Sequence, residues 1–248
     1  MELSLLEILI ALFALLLAGF AKGISGMGLP AIATPILAVL FDLQTAIAIT
    51  IFATFVTDVI MLARIPKSWG LIKKAGILMI FGICGIVAGS LLLVNINQSI
   101  LTGILALVIL AFVVTSYFSL LPSIQQRRSL DCAVGLGCGI LQGAAGASGP
   151  IISMYLLQMK LKRNEFLFLL NCFFAMVDLT QCISVYQLGL YKGEIPLFSL
   201  LSLVPVLTAM ALGMFVQKKI SDRLFRNAVL CVMTVSGLVL LCKSFGVL

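Results

Sequence analysis

Long apolar runs dominate the chain, and polar residues fall in short stretches between them. Continuous apolar runs cover positions 77–94, 100–121, 195–216 and 228–241. A helix of about 20 apolar residues crosses the hydrocarbon core of a bilayer, which is about 30 Å thick. Strands of a transmembrane barrel would alternate apolar and polar residues, whereas these runs are continuous. The pattern therefore predicts an all-α integral membrane protein.

The composition supports this prediction and narrows the range of possible functions. Hydrophobic residues make up 62% of the 248 positions and charged residues only 10%, and histidine is absent. A soluble domain carries about 25% charged residues. The seven cysteines form no Cys-x-x-Cys pair, and no glycine run ends in the Gly-Lys-Ser/Thr of a nucleotide loop. We therefore expect no metal site, no cofactor, no nucleic-acid partner and no enzymatic activity.

A glycine-rich motif occurs twice in the chain, and the two copies lie 120 positions apart. An intramembrane aspartate repeats at the same offset. The residues Gly19, Gly23, Gly26, Pro30, Ile32 and Asp58 recur as Gly139, Gly143, Gly146, Pro150, Ile152 and Asp178. Such a fixed period indicates an internal repeat. The sequence thus predicts a first membrane repeat over 1–121, a cytoplasmic linker over 122–129 and a second membrane repeat over 130–248.

The loop charges indicate that the two repeats have opposite orientations. Basic residues cluster at 64–74, 127–128, 160–163 and 218–226. Where one repeat is basic, the positions 120 residues away in the other carry at most one basic residue. Lys and Arg accumulate in cytoplasmic loops, so equivalent loops of the two halves are expected on opposite sides of the membrane. The net charge of +7 follows from this topology.

Inversion requires an odd number of membrane crossings in each repeat. Both 127–128 and 160–163 are basic, so the chain between them is expected to return to the cytoplasmic side. We therefore predict a re-entrant hairpin at 130–142 and 150–159, mirrored at 10–22 and 30–41, followed in each half by three spanning helices. The alternative counts each hairpin as an ordinary pair of spans. The predicted spans are 45–63, 73–94, 99–121, 164–188, 195–216 and 224–246, with both termini on the non-cytoplasmic side.

The hairpin tips are the first candidate site. Irregular backbone is costly in lipid unless it lines a cavity, and proline suits the first turn of a following half-helix. The free N–H groups and the dipole at such an N-terminus favour an anion. The alternative is close helix packing through small residues. The predicted substrate-binding residues are Lys22, Gly23, Ser25, Gly26, Gly28, Pro30, Gln142, Gly143, Gly146, Ser148, Gly149, Pro150 and Asn171.

Asp58 and Asp178 are the candidate coupling residues, because a carboxyl group inside a transmembrane helix is costly and usually functional. They could carry protons or bind a coupling cation. Asp58 could instead pair with Arg64 at the cytoplasmic interface, and Asp178 could be neutral and hydrogen-bonded. Lys22 could hold an anion as a point charge, neutralise an aspartate or extend to an interface.

The residues at 19–35 and 139–152 resemble the TauE/SafE sulfite exporter family, whose members carry a glycine-rich motif ending in proline near the start of each half. This resemblance covers essentially the whole chain. It implies transport of a small sulfur-containing anion, such as sulfite, sulfoacetate or a related organosulfonate, across a bacterial cytoplasmic membrane. We expect a secondary transporter that exports the anion by alternating access, coupled to protons or another cation. An anion channel of the same architecture and a carrier for an unrelated small solute are the alternatives.

Overall fold

The computed structural model describes residues 5–26, 28–117, 127–146, 148–159, 161–216 and 222–245. These residues are almost entirely helical and contain no strand. Six of their helical segments are long and apolar enough to cross a membrane, which confirms a multi-pass all-α membrane protein. The helices are α1 (Leu5–Ser25), α2 (Leu29–Leu40), α3 (Leu43–Arg64), α4 (Trp69–Asn95), α5 (Gln98–Tyr117), α6 (Arg128–Ala145), α7 (Gly149–Leu157), α8 (Arg163–Gln187), α9 (Ile195–Leu201), α10 (Leu203–Val216) and α11 (Asp222–Ser244).

The spanning helices lie close to their predicted positions. Helices α3 and α8 begin and end within two residues of the predicted bounds. The predicted span at 195–216 is divided into α9 and α10 at Ser202. Pro205 follows this break, and because proline has no N–H it cannot bond the carbonyl of the preceding turn. The predicted ends at 118–121 and 246, and the predicted linker at 122–126, lie outside the described residues.

Each half begins with a long helix and a short returning helix joined at a glycine turn. Gly26 and Gly28 have φ angles of 74° and 107°, and Gly146 has a φ of 67°, all in the left-handed region that favours glycine. The returning helices α2 and α7 have 12 and 9 residues, which is too short to cross a bilayer. Helix α1, with 21 residues, is longer than the predicted 10–22 and long enough to cross. Re-entrance therefore stays a prediction.

The long arm of each hairpin packs against the other half of the chain. Helix α1 lies against α10, and α6 lies against α4. A Cβ at Gly19 would overlap the backbone of Val206, and a Cβ at Gly139 would overlap the carbonyl oxygen of Gly82. Glycine at these positions lets the helix backbones approach closely, as small residues do in membrane helix pairs. The two contacts involve positions 120 residues apart, so the packing repeats with the sequence.

Helices α3 and α8 pack together at the centre and run in opposite directions. Near the C-terminal end of α3, Met61 approaches Gly26 together with Asn171 from the first half of α8. Near its N-terminal end, the carbonyl of Ile49 accepts a hydrogen bond from Ser202, which follows α8 in the chain. We call the side with the ends at Leu43 and Gln187 the outer face and the opposite side the inner face, following the predicted topology.

Candidate functional site

Two fully buried carboxyl groups meet where α3 packs on α8. Asp58 and Asp178 are both 0% exposed. Lys22, in the last turn of α1, is 1% exposed and forms an ion pair with Oδ1 of Asp58. Arg64 instead lies exposed, with Nη1 3.7 Å from Sδ of Met214. Of the possible roles of Lys22, the structure shows the neutralisation of an aspartate.

The second half contains the equivalent pair with a neutral partner. Gln142 stands 120 positions after Lys22, and its Nε2 donates to Oδ1 of Asp178 at 3.1 Å. The other amide atom, Oε1, accepts from the hydroxyl of Ser148 at 2.8 Å and from its backbone N–H at 3.3 Å. The side chain of Gln142 therefore ties the tip of the second hairpin to α8, as Lys22 ties the first hairpin to α3.

The carboxyl groups of Asp58 and Asp178 lie within interaction distance of each other. A carboxylate only accepts hydrogen bonds, so a bond between two carboxyl groups requires one proton. Oδ2 of each aspartate has no hydrogen-bond partner among the described residues, so the two carboxyl groups have oxygens available for a shared proton. One ammonium group, from Lys22, and one proton balance the two carboxyl groups. The cluster is then neutral, as a site removed from water requires.

Aromatic and amide side chains cover the cluster on its inner side. The ammonium of Lys22 lies 5.7 Å from the ring centroid of Phe174, within the range of a cation–π contact. One turn earlier in α8, the Nδ2 of Asn171 donates to the carbonyl of Leu167 at 2.7 Å. The Oδ1 of Asn171 has no partner among the described residues. A buried acceptor without a partner suits a ligand that carries a donor, such as a protonated oxyanion.

The glycines and prolines of the predicted site divide into two groups. Gly23 and Gly143 lie inside α1 and α6, where a Cβ would overlap the backbone of α10 and α4. For these two glycines the structure shows the packing role, because their Cα atoms face a neighbouring helix. The remaining residues lie at the hairpin tips. The left-handed turns are formed by Gly26, Gly28 and Gly146. The returning helices begin at or next to Pro30, Gly149 and Pro150. The hydroxyl of Ser25 donates to the carbonyl of Ala21 at 2.8 Å.

Gln181 completes the cluster and was not predicted from the sequence. It is 0% exposed, and its Nε2 donates to the carbonyls of Gln142 and Gly143 at 3.1 and 3.3 Å. These carbonyls lie in the last turn of α6, where helical partners run out, and that of Gln142 also accepts from the N–H of Gly146 at 2.8 Å. The signal was available, because Gln181 is an amide one turn after Asp178 within a predicted membrane span.

The comparison with known proteins agrees with this architecture. The family model for the sulfite exporter TauE/SafE family matches residues 11–240. The chain belongs to this family. The match covers both hairpins and both aspartates, and it makes the protein a TauE/SafE membrane transporter with a small anion as the substrate class. Neither a curated protein nor a solved structure matches the chain.

Proposed function

We propose that this TauE/SafE protein is a secondary transporter that exports a small anion, such as sulfite or an organosulfonate, by alternating access coupled to protons. The observation that carries the proposal is the buried cluster of Lys22, Asp58, Asp178 and Gln142. It combines one ammonium group, which can exchange its carboxylate partner for an anion, with a pair of carboxyl groups that can take up a proton. The partners of the two carboxyl groups, Lys22 and Gln142, lie near the tips of two equivalent hairpins.

Lys22 gives the cluster its affinity for an anion. Its ion-pair partner is Asp58, and the N-terminus of α2 begins a few residues after it. A substrate anion that replaces Asp58 beside the ammonium would also face the helix N-termini at Leu29 and Gly149, where N–H groups and the helix dipole favour negative charge. The tip residues from Ser25 to Pro30 and from Ser148 to Pro150 would line this position, with Asn171 on the inner side.

Charge balance then couples the anion to a proton. When a singly charged anion takes the place of Asp58 beside Lys22, the Asp58 carboxylate loses its counterion next to Asp178. An uncompensated charge in a dry site costs several kcal/mol. Taking one proton from solution restores neutrality, so the loaded cluster holds Lys22, the anion and two protonated aspartates. Each anion thus binds with one proton, and both the empty and the loaded cluster are neutral.

The two hairpins supply the element that alternates. In inverted-repeat carriers, the two halves move against each other around a fixed central site. Here each hairpin arm packs against the opposite half, so that a movement of one hairpin opens one face and closes the other. In the present conformation the cluster residues are at most 1% exposed. This closed centre favours a carrier over the channel alternative, which needs a continuous hydrated path.

The test is anion flux into proteoliposomes. We expect saturable flux of sulfite or sulfoacetate in the wild type that follows an imposed pH gradient. Asp178→Asn cannot exchange a proton and should lose the response to the gradient. Glu165→Gln, in the exposed first turn of the same helix, is the matched control and should behave as wild type. Flux that ignores the pH gradient would contradict proton coupling, and the absence of saturable flux of either anion would contradict the proposed substrate class.

The predicted orientation has its own test. In a cysteine-free background, Asn97→Cys and Ser129→Cys should react with a membrane-impermeant maleimide from opposite faces. Both positions are exposed, so their reaction does not depend on a conformational change. Labelling of both from the same face would contradict the inverted topology while leaving the central cluster unaffected.

A further inference from the structure

A row of buried threonines extends from Asp58 towards the outer face. Thr57, Thr54 and Thr50 of α3 are all at most 2% exposed. Thr50, Thr54 and Asp58 are spaced by four and share one side of α3, and Thr57, three residues after Thr54, lies at the edge of that side. Thr34 of α2 continues the row, with its hydroxyl oxygen 3.3 Å from that of Thr50. We call these four residues the threonine ladder.

The hydroxyl groups of the ladder present oxygen lone pairs. On α3, Thr50 donates its proton to the carbonyl of Ala46 at 2.9 Å, and Thr54 donates to that of Thr50 at 2.9 Å. Thr57 likewise donates to the carbonyl of Thr54 at 2.8 Å. Because each donor is used within the helix, the oxygens remain as acceptors. Acceptors hold water and hydrated protons and do not favour an anion, so the ladder is unsuited to carry the substrate.

The equivalent positions in the second half are apolar. The counterparts of Thr50, Thr54 and Thr57 at the 120-residue offset are Leu170, Phe174 and Val177, which are buried on α8. Because α8 runs opposite to α3, these three residues extend from the carboxyl pair towards the inner face. The row that continues from the pair is therefore polar towards the outer face, and its counterpart towards the inner face is apolar, with Asn171 as a polar neighbour on that side. Packing alone does not require this difference, since apolar side chains fill the same positions in the other half.

The ladder ends one helical turn below a polar cavity that opens on the outer face. This cavity has a volume of about 550 Å³, and its lining includes Ala38, Thr45 and Thr102. Ala38 follows Thr34 by four residues, a rise of about 6 Å. The buried Leu37 lies within that turn and closes it in this conformation. The ladder therefore extends from Asp58 almost to the cavity, and only the turn of α2 between Thr34 and Ala38 separates the two.

We propose that the threonine ladder is the route by which protons, carried on water, pass between the Asp58–Asp178 pair and the outer face. Water hydrogen-bonded to the hydroxyl oxygens relays the proton to or from the carboxyl group of Asp58; the hydroxyls themselves do not ionise. The charged and titratable groups that face the pair are Lys22 from α1 and Cys182 from α8, while α6 contributes the neutral Gln142. Asp42 and Lys243 lie at the outer cavity.

This proposal rests on the proposed function, and its test separates proton entry from anion binding. Thr54→Val keeps the shape of the side chain and removes the acceptor. In proteoliposomes, it should reduce flux driven by a pH gradient at least tenfold, and leave the exchange of labelled for unlabelled sulfite at equal pH unchanged. Thr54→Ser should restore the gradient-driven flux. Thr208→Val is the matched control, because Thr208 makes the same bond to a carbonyl, that of Val204 at 2.8 Å, on an exposed surface.

Three results would overturn the proposal. Equal loss of gradient-driven flux and of exchange in Thr54→Val would make Thr54 a structural residue. A normal response of Thr54→Val to the pH gradient would remove the ladder from the route. A response to a sodium gradient in place of the pH gradient would assign the coupling to a metal cation.

An accessibility measurement keeps the proposal testable even if the wild type carries neither sulfite nor sulfoacetate. In a cysteine-free background, the thiol of Thr54→Cys should react with Ag⁺ applied to the outer face at least ten times faster than with Ag⁺ applied to the inner face, measured as the loss of maleimide labelling after denaturation. Leu170→Cys should show no such preference for the outer side. Equal rates from both faces at Thr54→Cys, or no reaction there, would contradict the ladder without reference to the substrate.

Discussion

The first and second hairpins hold equivalent aspartates with partners of different charge. Lys22 forms an ion pair with Asp58, whereas Gln142 forms a hydrogen bond of 3.1 Å with Asp178. Both pairs join the end of a hairpin arm to the same position of the following long helix. The backbone arrangement is therefore repeated, and the electrostatics are not.

This difference determines how many protons the cluster holds. Two lysines opposite two aspartates would balance without a proton, and two glutamines would require two. One lysine and one glutamine leave room for a single proton between the carboxyl groups, which is the smallest unit that a carrier can exchange. The repeat thus determines the geometry of the site, and the difference between Lys22 and Gln142 determines its charge.

Removal of the Lys22 side chain should lower the stability more than removal of the Gln142 side chain, and this difference is the largest of the predicted effects. Lys22→Ala leaves the buried carboxylate of Asp58 without a counterion, and breaking such a pair costs about 3–5 kcal/mol. Gln142→Ala removes neutral hydrogen bonds and should cost about 1–3 kcal/mol. The melting temperatures of both variants in the same detergent would show the difference.

The double variant Lys22→Ala/Asp58→Asn is the control for this comparison. It removes the charge that Lys22→Ala exposes, so most of the lost stability should return. Equal destabilisation by Lys22→Ala and Gln142→Ala, or no recovery in the double variant, would show that the buried ion pair does not distinguish the halves.

Where the hairpin arms pack closely on a neighbouring helix, equivalent substitutions in the two halves should have similar effects on stability. A Cβ at Gly19 would overlap Val206 of α10, and one at Gly139 would overlap Gly82 of α4. Overpacking of a close contact costs about 1–3 kcal/mol, so Gly19→Ala and Gly139→Ala should lower the melting temperature by similar amounts. Gly137→Ala is the matched control, because nothing lies within 4 Å of its Cβ position. It should be neutral or stabilising, since alanine is the better helix former.

Much of the fold was predictable from the sequence, because membrane helices and their interruptions are local features. The bounds of α3 and α8 follow from the lengths of the apolar runs. The left-handed turns at Gly26 and Gly146 follow from glycine motifs that interrupt those runs. The equivalence of Asp58 and Asp178 follows from the constant offset of the repeat.

The choice of helix partners was not predictable in the same way. A helix that is apolar all round has no side that indicates its neighbour. The exchange of arms, with α1 on α10 and α6 on α4, therefore appears only in the structure. For this reason the sequence left open whether Gly23 and Gly143 bind substrate or pack against another helix; both face neighbouring backbones, and substrate binding by them stays a prediction. The pairing of Lys22 with Asp58 across 36 residues depends on the same exchange.

The smallest predicted effect concerns Gln181, whose counterpart in the first half is Met61. Gln181→Met makes the two halves alike at this position and removes the hydrogen bonds to the carbonyls of Gln142 and Gly143. It should cost about 1 kcal/mol, partly offset because the unpartnered Oε1 is also removed. Amide hydrogen exchange at the end of α6 would become faster, and exchange at the end of α1 would not change. Unchanged exchange at both ends would mean that the tip of the second hairpin is held by the bond between Gln142 and Asp178 alone.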